Sequence, residues 1–169
     1  FDGQSADLLI HQIPVLEQAL THHLQCWLIT KDQRKQLFSP YQLVNYKGTW
    51  HLVGVSEGRL QAYPLSNITL VELSQQTFTR DAYIQRQIDT DPTLWRSGMI
   101  EVLLKASAAI AINFQHRLLL PEQEIVKTLD DGALLLSSHV LDANQILPVI
   151  KSWIPELTVI SPGFIHEQI

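Results

Sequence analysis

The chain has 169 residues, 46% of them hydrophobic, and a formal net charge of −5. That apolar content supports a packed core and excludes a disordered chain. The acidic balance excludes a general polyanion binder, whose affinity comes from lysine and arginine neutralising phosphates.

Residues Ser5 to Gln25 are expected to form a helix, because Leu8, Leu9, Ile13, Leu16, Ala19, Leu20 and Leu24 recur at helical spacing. Pro14 is expected to kink it or to mark a fresh start. A short strand, Cys26 to Thr30, leads to a polar turn at Lys31-Asp-Gln-Arg-Lys. Four strands follow, at Gln36–Val44, Thr49–Ser56, Arg59–Leu65 and Ile68–Leu73. Tyr46-Lys47-Gly48 and Ser56-Glu57-Gly58 supply tight turns between them. One helix followed by about five short antiparallel strands suggests a small SH3-like or Sm-like barrel. Residues 78–98 are polar and turn-rich around Asp89-Thr-Asp-Pro92, and read as a linker with some helix near Asp81–Gln87.

The rhythm then changes. Ile100–Lys105 reads as a strand, Ala106–Arg117 as a helix, and Glu124–Leu129 with Ala133–Val140 as a hairpin across Asp130-Asp131-Gly132. Asn144–Ile154 reads as a helix and Leu157–Ile160 as a strand. This βαββαβ order is that of a ferredoxin-like unit. The expected class is α+β, mostly β in its first half. The expected domains are 1–77 for the helix and barrel, 78–98 for the linker, and 99–169 for the ferredoxin-like unit.

Catalytic and metal signals are weak. Gly54-Val-Ser56-Glu-Gly58 matches the hydrolase pattern Gly-x-Ser-x-Gly, which needs a strand, a sharp turn and then a helix. A strand-like run follows instead, so a hairpin is the better reading. The seven histidines (His11, His22, His23, His51, His116, His139 and His166) form no zinc-binding spacing. Cys26 is the single cysteine, so neither an internal disulfide nor a cysteine-rich metal site is expected. No catalytic residue, metal or cofactor is expected, and an enzyme is the weakest functional reading. No apolar run reaches the ~20 residues that a membrane helix needs. With no signal peptide and one cysteine, a cytoplasmic setting is expected. The chain opens at Phe1 without an initiator methionine, and is expected to be a piece of a longer protein.

The stretch Pro40-Tyr-Gln-Leu-Val-Asn-Tyr-Lys-Gly-Thr-Trp50-His51-Leu52-Val53-Gly54 resembles the signature of WYL domains, sensor modules of bacterial transcriptional regulators. His51 stands where that family usually has tyrosine. Gly58 to Ile68 resembles the family's next strand, but Gln61 and Asn67 fall at arginine positions, Pro64 at a position often basic, and Ser66 at the aspartate. The tail resembles the extension that follows many WYL domains, through its Asp-Gly turn, the helix ending near Trp153, and Ser161-Pro162. The resemblance implies a sensing and dimerisation region that controls a helix-turn-helix domain outside this chain. It also implies a homodimer, and a nucleotide or single-stranded nucleic-acid effector whose binding the missing arginines weaken. Lys31, Arg34, Lys35, Lys47 and Arg59 are left to rebuild a basic patch.

On the barrel, Trp50 is expected to be a buried anchor because of its large apolar area, with His51 on the opposite face. The candidate ligand residues are His51, Gln61, Tyr63, Ser66, Asn67 and Lys35. Tyr63 offers a stacking face, while His51, Gln61 and Asn67 offer hydrogen bonds. A structural module that has lost its ligand is the main rival. Direct RNA binding by an Sm-like barrel is a further one, disfavoured by the charge.

Overall fold

A computed structural model describes the backbone of residues 3–169 and the side chains from residue 12 onward. The side chains of the expected helix-face residues Leu8 and Leu9, and that of His11, lie outside what is described. The chain divides into two compact units, Phe1–Gly98 and Met99–Ile169.

The first unit opens with α1 (Gly3–His22), which runs unbroken through Pro14. His23 adopts a left-handed backbone, φ 51°, and ends the helix three residues before the expected boundary. The strands are β1 (Leu24–Thr30), β2 (Lys35–Tyr46), β3 (Thr49–Ser56), β4 (Arg59–Pro64) and β5 (Ile68–Thr77). Their order in the sheet is β4-β3-β2-β1-β5, antiparallel throughout. Both hairpins around β3 turn on two residues of positive φ, Lys47-Gly48 (51° and 84°) and Glu57-Gly58 (53° and 74°). Such a turn matches the right-handed twist of the flanking strands. A 3₁₀ turn, Leu65–Asn67, then carries the chain from β4 to the opposite edge, where β5 pairs with β1. The consecutive strands β4 and β5 therefore lie at opposite edges of a curled sheet. A bulge between Pro40 and Gln42 adds a bend to β2. Leu16 of α1, Cys26, Leu28, Phe38, Leu52, Tyr63 and Val71 fill the interior. Gln12 Oε1 accepts from the Val71 amide at 3.0 Å and ties α1 to β5.

The expectation for Trp50 is overturned. Trp50 is 42% exposed and His51 only 2%. Alternation does place Trp50 on the face of Leu52, but it pairs with Asn45, one step from the hairpin turn. It sits at the strand's end, past the residues that fill the interior.

Residues 78–98 are not a linker. They belong to the first unit and pack as a strap on the outer face of β3 and β4. Asp81 caps α2 (Ala82–Thr90) by accepting from the Tyr83 amide at 2.8 Å. A 3₁₀ turn follows at Leu94–Arg96. Ile88 and Leu94 are buried against Tyr41, Val53 and Ala62. Gly98 lies so close to β4 that a Cβ there would be 2.2 Å from the Ala62 carbonyl oxygen. Few apolar residues do this work, and they are scattered among polar ones, which is why the segment reads as a linker.

The second unit contains β6 (Ile100–Ala106), α3 (Ala111–His116), β7 (Glu124–Thr128), β8 (Leu134–Val140), α4 (Leu147–Trp153), β9 (Leu157–Ser161) and α5 (Gly163–His166). The antiparallel order β7-β8-β6-β9 is that of a ferredoxin-like sheet. Val102, Leu104, Phe114, Leu134, Leu136, Ile146 and Ile150 form its core. Both expected helices are shorter than the periodicity suggests. Pro148 has no N–H to donate, so it sits in the first turn of α4 rather than inside a longer helix. A separate 3₁₀ turn, Ala143–Gln145, precedes it under the Asp142 cap. The short α5 carries no sequence expectation. No helix among the described residues is long and apolar enough to cross a membrane.

Candidate functional site

The pairing of β3 with β4 sets His51 opposite Pro64, Leu52 opposite Tyr63, and Gly54 opposite Gln61. Cross-strand partners share a face of the sheet. Tyr63 and Gln61 therefore share the face of Leu52, while His51 shares the outer face with Pro64. The residues expected to line one pocket are divided between two faces.

Each buried member has a structural partner. The Tyr63 hydroxyl accepts from Gln36 Nε2 at 2.9 Å and donates to Gln36 Oε1 at 3.1 Å. Its ring meets Phe38 edge-on at 5.8 Å. Burial raises the phenol's pKa, with the Gln36 bond opposing. Asn67 donates from Nδ2 to the Gly98 carbonyl at 2.9 Å, and its Oδ1 accepts from the Lys31 amide at 3.4 Å. This short amide thus pins the end of the strap.

His51 Nδ1 lies 2.9 Å from the Thr49 carbonyl. A carbonyl only accepts, so Nδ1 carries the proton in this bond. The imidazole meets Trp95 edge-on at 5.2 Å, and Trp95 stacks on Tyr46 at 4.4 Å with 7° between planes. Burial lowers the pKa of His51, partly offset by the Thr49 bond. This histidine is part of the seam that holds the strap to β3. Gln61 and Ser66 are each half-buried.

Lys35 differs from the other five. It opens β2, is exposed, and places Nζ 5.2 Å from the centroid of the Trp27 ring. Both line an open groove of about 480 Å³ whose walls include Gln25, Ser39, Val55 and Glu57. Gln25 Nε2 donates to Ser39 Oγ at 3.1 Å. Arg34 and Glu57 form an ion pair at the rim, Nη2 to Oε2 2.7 Å. Trp27 remains 37% exposed between Cys26 and Leu28, both fully buried. Alternation along β1 was the available signal: with Cys26 and Leu28 inward, residue 27 points out, and a large indole there has no interior to fill. In this groove a candidate residue, the cation Lys35, meets an exposed aromatic face and hydrogen-bonding side chains.

No family model matches the chain, and no curated protein matches it. Solved structures do. A CRISPR Cas-related protein is similar over 97% of this chain and 50% of its own, at 15% identity and a TM-score of 0.54. The proteasome accessory factor B/C (PafBC) of Arthrobacter aurescens matches over 99% of this chain and 26% of its own, at 13% identity and a TM-score of 0.43. The chain thus spans about half of the first structure's length and about a quarter of the second's. The likeness to the CRISPR-related protein is one of fold, and at that identity it extends no further.

Proposed function

We propose that this chain is the ligand-sensing and dimerisation region of a bacterial transcriptional regulator of the WYL type. It would act in the cytoplasm as a homodimer and govern a helix-turn-helix domain outside this chain. The observation that carries the reading is the setting of the Trp50-His51-Leu52-Val53-Gly54 motif. It lies on β3 of a five-stranded curled sheet, and a ferredoxin-like unit follows in the same chain. A ligand that binds two dimer arrangements unequally shifts their populations, and with them DNA-binding competence. The open groove beside Trp27 and Lys35 is the binding place we assign. Nucleotide or single-stranded nucleic-acid binding would be weak and would fall steeply with salt.

One observation favours the rival reading, a dimerisation module without a ligand. Tyr63 and Asn67 are committed to bonds inside the first unit. For the same reason Asn67→Arg is no clean restoration of the family pattern, since it removes the tie to Gly98. Sedimentation velocity tests the association half: a dimer at micromolar concentration is expected, and a monomer at high micromolar concentration sinks it. Titration of a labelled oligonucleotide at low and physiological salt tests the effector half. Tight, salt-insensitive binding there would refute the argument from missing arginines.

A further inference from the structure

We infer that the groove between β1 and β2 binds a planar aromatic ring carrying a single negative charge, with the ring on Trp27 and the charge on Lys35. The inference deepens the sensing reading above and rests on it.

Three features lead to this ligand. First, the groove has the size of a small-molecule site, about 480 Å³. Its largest exposed apolar surface is the Trp27 indole, which offers a face for stacking. Second, the Lys35 ammonium already rests over that ring. A neutral ring stacks on the indole but gives the displaced ammonium no charge to pair with. An anionic ring displaces the ammonium and then pairs with it through a charge-assisted hydrogen bond. Third, the charge balance limits the ligand to one negative charge. Arg34 is engaged by Glu57 at 2.7 Å, and Glu57 is itself one of the residues that line the groove. Lys35 is therefore the lining cation without a carboxylate partner among the described residues, and a dianionic phosphate would face Glu57. Gln25 and Ser39, bonded to each other, present an amide and a hydroxyl for one polar substituent on the ring. An aromatic carboxylate satisfies all of these groups, and a nucleotide does not.

The test is isothermal titration of the full chain with three probes: 1-naphthoate, neutral 1-naphthylmethanol, and adenosine 5′-monophosphate. Saturable binding of 1-naphthoate is expected, tighter than either of the others. Trp27→Ala and Lys35→Gln should each weaken it about tenfold, the scale of one lost stacking face or one lost charge-assisted contact. Both positions are on the surface, and the unfolding midpoint of each variant confirms that the fold is intact. Naphthoate affinity undiminished in both folded variants overturns the site and leaves the sensing reading standing. Preference for the nucleotide, lost in Trp27→Ala, overturns the ligand class but supports a sensor at this groove. No binding of any probe overturns the inference. Sedimentation then judges the dimerisation half of the wider reading independently.

Discussion

Replacing Trp95 with alanine tests whether residues 78–98 are structural. Trp95 stacks on Tyr46 at 4.4 Å and receives the edge of His51 at 5.2 Å. Emptying a fully buried aromatic site costs roughly 3–5 kcal/mol. Trp95 is only partly buried, so about half of that applies, near 2 kcal/mol. Aromatic pairs add about 0.5–1.5 kcal/mol beyond area, which puts the expected loss at roughly 2–3 kcal/mol. Trp50→Ala is the control. With 42% of the residue exposed at a strand end, its loss should stay near the surface range, about 0.5–1 kcal/mol. Urea denaturation followed by tryptophan fluorescence is a suitable assay. Trp27, Trp50 and Trp95 all lie in the first unit and only Trp153 in the second, so the signal reports mainly on the barrel. Limited trypsin digestion adds a local readout, with faster cleavage after Arg86 expected in Trp95→Ala. An unchanged midpoint for Trp95→Ala, or a larger loss for Trp50→Ala, refutes the strap and restores the linker.

Tyr63→Phe should cost about 1–3 kcal/mol, because it leaves the buried Gln36 amide without its partner. Adding Gln36→Leu should recover most of that loss, and no recovery would show that the pair does more than satisfy itself. Gly98→Ala should cost about 1–3 kcal/mol, since its Cβ would press on the Ala62 carbonyl and force a backbone shift. A wild-type melting temperature would refute that close approach. His51 should make stability depend on pH. Its folded pKa lies below the ordinary 6.5, so below about that pH the unfolded chain binds a proton that the folded imidazole refuses. The His51 contribution is intact above 6.5 and declines as pH falls toward the depressed value. The loss should be shallower in His51→Gln, and an identical slope in the two proteins would rule this out. Burial pushes the Cys26 thiol up to about 12, so native protein at pH 8 should resist iodoacetamide and label fully in denaturant. Mass spectrometry showing rapid native labelling would contradict the burial.

Local chemistry alone determined much of this protein. Glycines after Lys47 and Glu57 permit the positive-φ turns that make the two hairpins tight, and Gly132, at φ 88°, supplies the left-handed position in the longer loop between β7 and β8. Alternation along β1 and β3 set which residues share a face, so the strands and their antiparallel connections were legible in chain order. Tertiary structure decided which faces are covered. A period of two says that His51 and Trp50 point opposite ways, but not which of them meets protein. The answer comes from Leu94 and Trp95, more than 40 positions away, which cover the outer face of β3 and leave Trp50 at an open strand end. Asn67 follows the same logic, since the sequence resemblance sets it at an arginine position while its amide is consumed by the Gly98 carbonyl in space. The groove also needed the fold. Trp27 pairs with Leu37, and Lys35 lies diagonally across the strand pair, so the ammonium reaches the indole only once β1 and β2 are in register. Short-range signals are encoded within a few residues of where they act, whereas coverage and juxtaposition are set by distant segments whose pairing no local pattern records.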